Sequence, residues 1–81
     1  MSRSTFSGED IISALDNWGY KKVGQTGSHA KLRYTNPDTG EKRTVIVPYH
    51  DEIDTGTLKG IAEQAGAKDF QNFLDEIEKM V

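Results

Sequence analysis

Apolar residues near the start of the chain recur at the spacing of one helical face, with Ile11, Ile12, Leu15 and Trp18 on the same side. Ser7 precedes them as an N-cap, and Glu9 and Asp10 fill the first turn, where carboxylates suit the exposed amides and the helix dipole. Gly19 supplies the left-handed residue that ends such a helix. The pattern predicts a first helix over roughly 8–18.

The period then changes to two. Tyr20 to Gly24 forms a short strand carrying Val23, and Gln25-Thr26-Gly27-Ser28 has turn chemistry. From His29 to Thr35, alternation puts Ala30, Leu32 and Tyr34 on one face and His29, Lys31, Arg33 and Thr35 on the other. Asn36-Pro-Asp-Thr-Gly40 is a second turn. Lys42 to Val47 returns as a third strand with Val45 and Val47 facing the core, and Pro48 ends it. A three-stranded antiparallel meander is expected.

Tyr49 to Thr55 reads as a loop, with Asp54 or Thr55 able to cap a second helix whose Leu58, Ile61, Ala62 and Ala65 share a face before Gly66 ends it. From Ala67 to about Lys79, Phe70, Phe73, Leu74 and Ile77 repeat at i, i+3, i+4 and i+7 and predict a third helix. The order is α-β-β-β-α-α, an α+β fold. Helices covering one face of an antiparallel sheet leave the other wet, so His29, Lys31 and Arg33 are expected on an open platform.

Eighty-one residues, of which 35% are hydrophobic and 28% charged, are expected to form one domain over 1–81 with a core at about 7–77. Without cysteine, disulfides, thiolate metal sites and thiol nucleophiles are excluded. The longest apolar run, Val45-Ile46-Val47, is far too short for a membrane span, and Met1-Ser2-Arg3 leads into a polar segment unlike a signal peptide. A cytoplasmic protein without a membrane partner is expected.

Charge sharpens the picture because it is uneven. The net charge is −3, yet Lys21, Lys22, Lys31, Arg33, Lys42 and Arg43 crowd the middle of the chain against only Asp38 and Glu41. The region from Asp51 onward is acidic. A basic sheet solvated opposite acidic helices would explain this without function, and so would a surface for phosphates.

A lone histidine in a small domain is commonly a surface or core residue. His29, however, follows Gly27-Ser28 at a tight turn and shares a strand face with Lys31 and Arg33. A side chain titrating near about pH 6.5 can take the proton of a ribose 2′-hydroxyl or protonate a 5′-oxygen leaving group. Neighbouring cations can stabilise charge gathering on the phosphate.

Gly27-Ser28-His29 entering a strand, Val45-Ile-Val-Pro-Tyr-His50, Gly56-Thr-Leu-Lys-Gly-Ile61 and Gln64-Ala-Gly66 stand in the order and spacing of the HicA toxin family, which this chain resembles over about residues 7 to 77. Trp18-Gly19-Tyr20 at the end of the first helix is similar as well. The resemblance implies a fold like that of double-stranded-RNA-binding domains, an α-β-β-β-α core, here with an added C-terminal helix. It implies an mRNA endonuclease that blocks translation, works without metal or cofactor, and is held inactive by a HicB-type antitoxin. The family's catalytic histidine corresponds to His29. Gly27, Ser28, Lys22, Lys31 and Arg33 are then expected to bind RNA, with His50 as an auxiliary proton-transfer candidate, although a loop histidine after a strand-ending proline is a simpler account of His50. The chain departs from the family in its acidic sequence pI near 5.2 and in Ala30, where relatives often carry a second histidine. Tyr34 and Tyr49 could stack bases, but Tyr34 alternates with the core set. Two other functions fit the same residues: a non-catalytic RNA-binding module, and a protein-interaction domain whose acidic helices engage a basic partner.

Overall fold

Ser7 starts the first helix by a reciprocal exchange. Its hydroxyl accepts the Asp10 N–H at 3.1 Å, and the Asp10 carboxylate accepts the Ser7 N–H at 3.0 Å, so two amides without helical partners are satisfied at once. This computed structural model describes residues 5–80. It contains α1 (Gly8–Asn17), β1 (Lys21–Thr26), β2 (His29–Thr35), β3 (Lys42–Pro48), α2 (Thr55–Gln64) and α3 (Phe70–Met80). The expectations for Met1-Ser2-Arg3 lie outside the described residues.

The strands form one antiparallel sheet in the order β1-β2-β3. Strand β1 runs on to Thr26, past its expected end at Gly24, because the connection to β2 needs only Gly27 and Ser28. Gly27 has φ +56° while, among the described residues, no non-glycine, Ser28 included, has positive φ, the pattern of a type II′ hairpin turn. The β1–β2 register shifts between Lys22 and Gly24, so Val23 occupies a bulge and stands 51% exposed.

Cross-strand partners share a sheet face, which makes the two surfaces readable from the register. Ala30 opposite Val47 and Leu32 opposite Val45 are buried, whereas Lys31 opposite Ile46 and Arg33 opposite Thr44 point the other way. All three helices lie on the Ala30–Leu32 side. Their residues Ile11, Ala14, Leu15, Leu58, Ile61, Phe73 and Ile77 join the sheet's apolar face, Phe6, Tyr20 and Ile53 in one core. Each large aliphatic side chain so buried stabilises the fold by roughly 1.5–3 kcal/mol.

Helix α3 begins at Phe70 rather than Ala67. Asp69 accepts the Asn72 N–H on its carboxylate at 3.2 Å, and Asp69 C=O accepts the Phe73 N–H, so Asp69 sets the start. The helix packs on α1, where Phe73 meets Trp18 edge-on at 5.9 Å, and on α2. Trp18 is accordingly half-buried against the core. Among the described residues no helix is long and apolar enough to cross a membrane.

Candidate nucleic-acid interface

The uncovered face of the sheet carries His29, Lys31, Arg33 and Thr35 along its central strand, each about 7 Å from the next. His29 and Lys31 are exposed, and among the described residues the His29 ring has no hydrogen-bond partner. Arg33 is half-buried, and its Nε donates to Thr44 Oγ1 at 3.3 Å. Lys21 lies directly across from Arg33 on β1, and Lys42 faces the same side opposite Thr35 on β3. Like charges set opposite one another oppose folding. Among the described residues neither Lys21, Lys31, Arg33 nor Lys42 is paired with a carboxylate. The face is therefore a field of unneutralised cations, suited to a polyanion.

The turn before His29 stands open. A Cβ added to Gly27 would meet nothing within 4 Å, so glycine is required there by φ and not by crowding. Beside the turn, Tyr49 N–H, just past β3, donates to Ser28 C=O at 2.7 Å, and on the helix side the Gln25 side-chain amide donates to Gly27 C=O at 3.3 Å.

The structure does not bring Lys22 to this face. Its cross-strand partner is the buried Leu32, so it projects on the helix side, where it donates to the Gln25 side-chain oxygen and lies 5.5 Å from the centre of the Tyr49 ring. Adjacent residues of β1 face opposite sides, and the Val23 bulge, which no sequence pattern announces, sets the register in which Lys22 is the one turned to the helix side. Arg43 also faces the helices, opposite Tyr34, and donates to Ala65 C=O at 2.9 Å while pairing with Glu41 at 3.0 Å. Tyr34 packs 5.5 Å from Tyr20. His50 follows two residues after Pro48, the cross-strand partner of His29, and is exposed. Its backbone carbonyl accepts the Gly8 N–H at 2.8 Å, drawing that segment toward α1.

Much of the remaining motif content holds the fold. A Cβ at Gly8 would overlap the Pro48 carbonyl, so α1 can dock on the end of β3 only through glycine. Asp54 caps α2 by accepting the Thr57 N–H at 3.1 Å and hydroxyl at 2.7 Å, and these bonds hold its carboxyl below the usual carboxylate range. Leu58 then enters the core. Gln64 accepts the Ile46 N–H at 2.9 Å, Ala65 C=O takes the Arg43 guanidinium, and Gly66 at φ +78° leaves room for that guanidinium. Burial pushes the Tyr20 phenol up, with Arg43 partly opposing it, and Tyr20 donates to the same Ala65 carbonyl at 3.4 Å. Among the described residues no three His, Asp or Glu side chains converge as metal ligands would. Reading along the chain gave Gln25 only as a turn residue and Gln64 only as part of a motif; the bonds of these long polar side chains leave no periodic signature.

No curated protein gave a significant match. Residues 8–67, well over half of the chain, match the family model of the HicA toxin of bacterial toxin–antitoxin systems, a stretch that takes in α1, the whole sheet and α2 and stops before α3. The chain belongs to the HicA toxin family.

Proposed function

We propose that this protein is an endoribonuclease toxin that cleaves mRNA and so blocks translation, acting as a single cytoplasmic domain and restrained by a HicB-type antitoxin. One observation carries the reading. Three of the four family motifs are engaged in capping, docking and core packing, while the side chains of Ser28 and His29 are exposed and bonded to nothing among the described residues, with His29 on the cationic sheet face.

In this reading His29 takes the proton from a ribose 2′-hydroxyl. The freed oxygen bonds to the adjacent phosphorus, the bond to the 5′-oxygen breaks, and that oxygen leaves after gaining a proton; the products are a 2′,3′-cyclic phosphate and a 5′-hydroxyl end. Lys31 and Arg33 hold phosphates beside the scissile bond, and Thr44 orients Arg33. Gly27 keeps the approach open and Ser28 contacts the phosphate. The reaction needs no metal. His50, at the same end of the sheet, is the candidate for the second proton transfer, and Lys22 adds only longer-range charge from behind.

Cleavage of end-labelled mRNA by the wild-type protein and by His29→Ala, side by side in excess chelator, tests the proposal. Cleavage by wild type alone supports it. RNA binding by both proteins with cleavage by neither would instead favour a non-catalytic RNA-binding module.

A further inference from the structure

Resting on the ribonuclease reading above, we infer that the backbone N–H of Ser28 is a catalytic donor to a non-bridging oxygen of the scissile phosphate, and that Gln25, backed by Lys22 and Tyr49, is the positioning residue that aims it.

Gln25 lies opposite Ala30, whose side chain is fully buried in the core, so the Gln25 side chain projects on the helix side of the sheet. From there its amide donates to Gly27 C=O at 3.3 Å. The Gly27 carbonyl is thereby turned toward the helix side. All peptide bonds of the described residues are trans, and in a trans peptide the C=O and the following N–H point in opposite directions. The Ser28 N–H is consequently directed to the open face, the side that carries His29 and Lys31. Among the described residues it has no acceptor.

The Gln25 side chain is itself held. Its oxygen accepts from Lys22 Nζ and, at 3.5 Å, from the Tyr49 hydroxyl, which leaves the amide nitrogen as the end that faces Gly27. Tyr49 fixes the other half of the turn by donating its N–H to Ser28 C=O. The turn is thus braced at two successive carbonyls, Gly27 from the helix side and Ser28 from the β3 side, while its open face carries an unpaired amide beside the exposed histidine. As the 2′-oxygen bonds to phosphorus, negative charge grows on the non-bridging oxygens, and a fixed dipole aimed at that position acts without reorganising.

The test separates amide from hydroxyl. Ser28→Ala removes the hydroxyl and keeps the N–H; Ser28→Pro removes the N–H while its φ near about −65° suits this turn position. Cleavage kinetics are measured on an RNA carrying each phosphorothioate diastereomer at the scissile phosphate, with circular dichroism to verify folding. Ser28→Ala, which keeps the N–H, is expected to lose at most a few-fold in kcat, whereas Ser28→Pro should lose about 100-fold in kcat with KM little changed. The rate penalty for one diastereomer seen in wild type should disappear in Ser28→Pro. Gln25→Glu keeps an acceptor for Lys22 and Tyr49 but cannot donate to Gly27, and should lower kcat about tenfold with KM unchanged. Should Ser28→Pro not fold, Gln25→Glu decides alone. Full kcat in a folded Ser28→Pro, or in Gln25→Glu, overturns the inference while leaving the ribonuclease reading intact if His29→Ala is dead. An inactive wild type would overturn both.

Discussion

The side-chain oxygen of Gln64, in the last turn of α2, accepts the backbone N–H of Ile46 at 2.9 Å and covers part of the free edge of β3. An edge strand offers unpaired amides to other chains, and a helix laid along it removes the offer. This contact joins α2 to the sheet on the side away from β2, while the Arg43 and Tyr20 bonds to Ala65 C=O secure the same helix end from below.

Gln64→Ala should therefore destabilise the protein modestly. The bond is exposed to solvent, so water replaces it in part, and a loss of about 0.5–1 kcal/mol is expected. Urea unfolding should show it, with RNA cleavage by the folded variant unaltered.

Gly66→Ala should cost more, about 1–3 kcal/mol, because alanine must adopt φ +78° and its methyl would overlap the Arg43 guanidinium. The two causes separate in a double-mutant cycle: in an Arg43→Ala background only the backbone strain remains, and the cost of Gly66→Ala should fall to about 1 kcal/mol. Equal costs in both backgrounds would show that the guanidinium yields freely.

Charge removal should depend on which face a cation occupies. With catalysis disabled by His29→Ala, Lys31→Gln and Arg33→Gln should each weaken binding of a single-stranded RNA and reduce the slope of log K against log salt by about 0.7 for each phosphate that is no longer neutralised. Arg43→Gln should lower stability through Ala65 and leave that slope nearly unchanged. Fluorescence anisotropy over a salt series distinguishes the two.

Asp54→Ala should make the thermal midpoint less sensitive to acid. The Thr57 hydroxyl and amide lower the Asp54 pKa in the folded state, so its cap contributes in full above the unfolded carboxylate range and is lost as pH falls through the lowered folded value. The difference in Tm between wild type and Asp54→Ala is expected to be largest near neutrality and to shrink on acidification below about pH 4. A difference constant across that range would mean the carboxylate charge is not what holds the cap.

The elements were legible where one local rule dominates. Helical spacing in α1 and α2, alternation in β2, and the Ser7 and Gly19 stops all reappear in the structure, as does the open face with His29, Lys31 and Arg33. Boundaries shifted where competing local chemistry was closely matched: Asp69 starts α3 at Phe70, the first residue of its apolar repeat, and not at Ala67, and a two-residue turn lets β1 run longer. The basic stretch was harder to read. Sequence proximity grouped Lys21 with Lys22 and Lys42 with Arg43, but adjacent residues on a strand point to opposite faces, and the Val23 bulge set the register on which Lys22 turned inward. The brace behind Gly27 and Ser28 depends on Gln25 and Tyr49, far apart in the chain and brought together only by the pairing of all three strands.

The sorting of charge between the sheet and the helix layer makes this small protein an electric dipole. Its net charge of −3 would push a polyanion away at long range, but within the distance at which salt no longer averages its surface, the field of an RNA exerts a torque. For a protein that acts on RNA as proposed, this would turn the molecule sheet-first before contact and reject encounters on the acidic side. Orientation in flight, more than overall attraction, would then govern how often an encounter begins with the strand at His29.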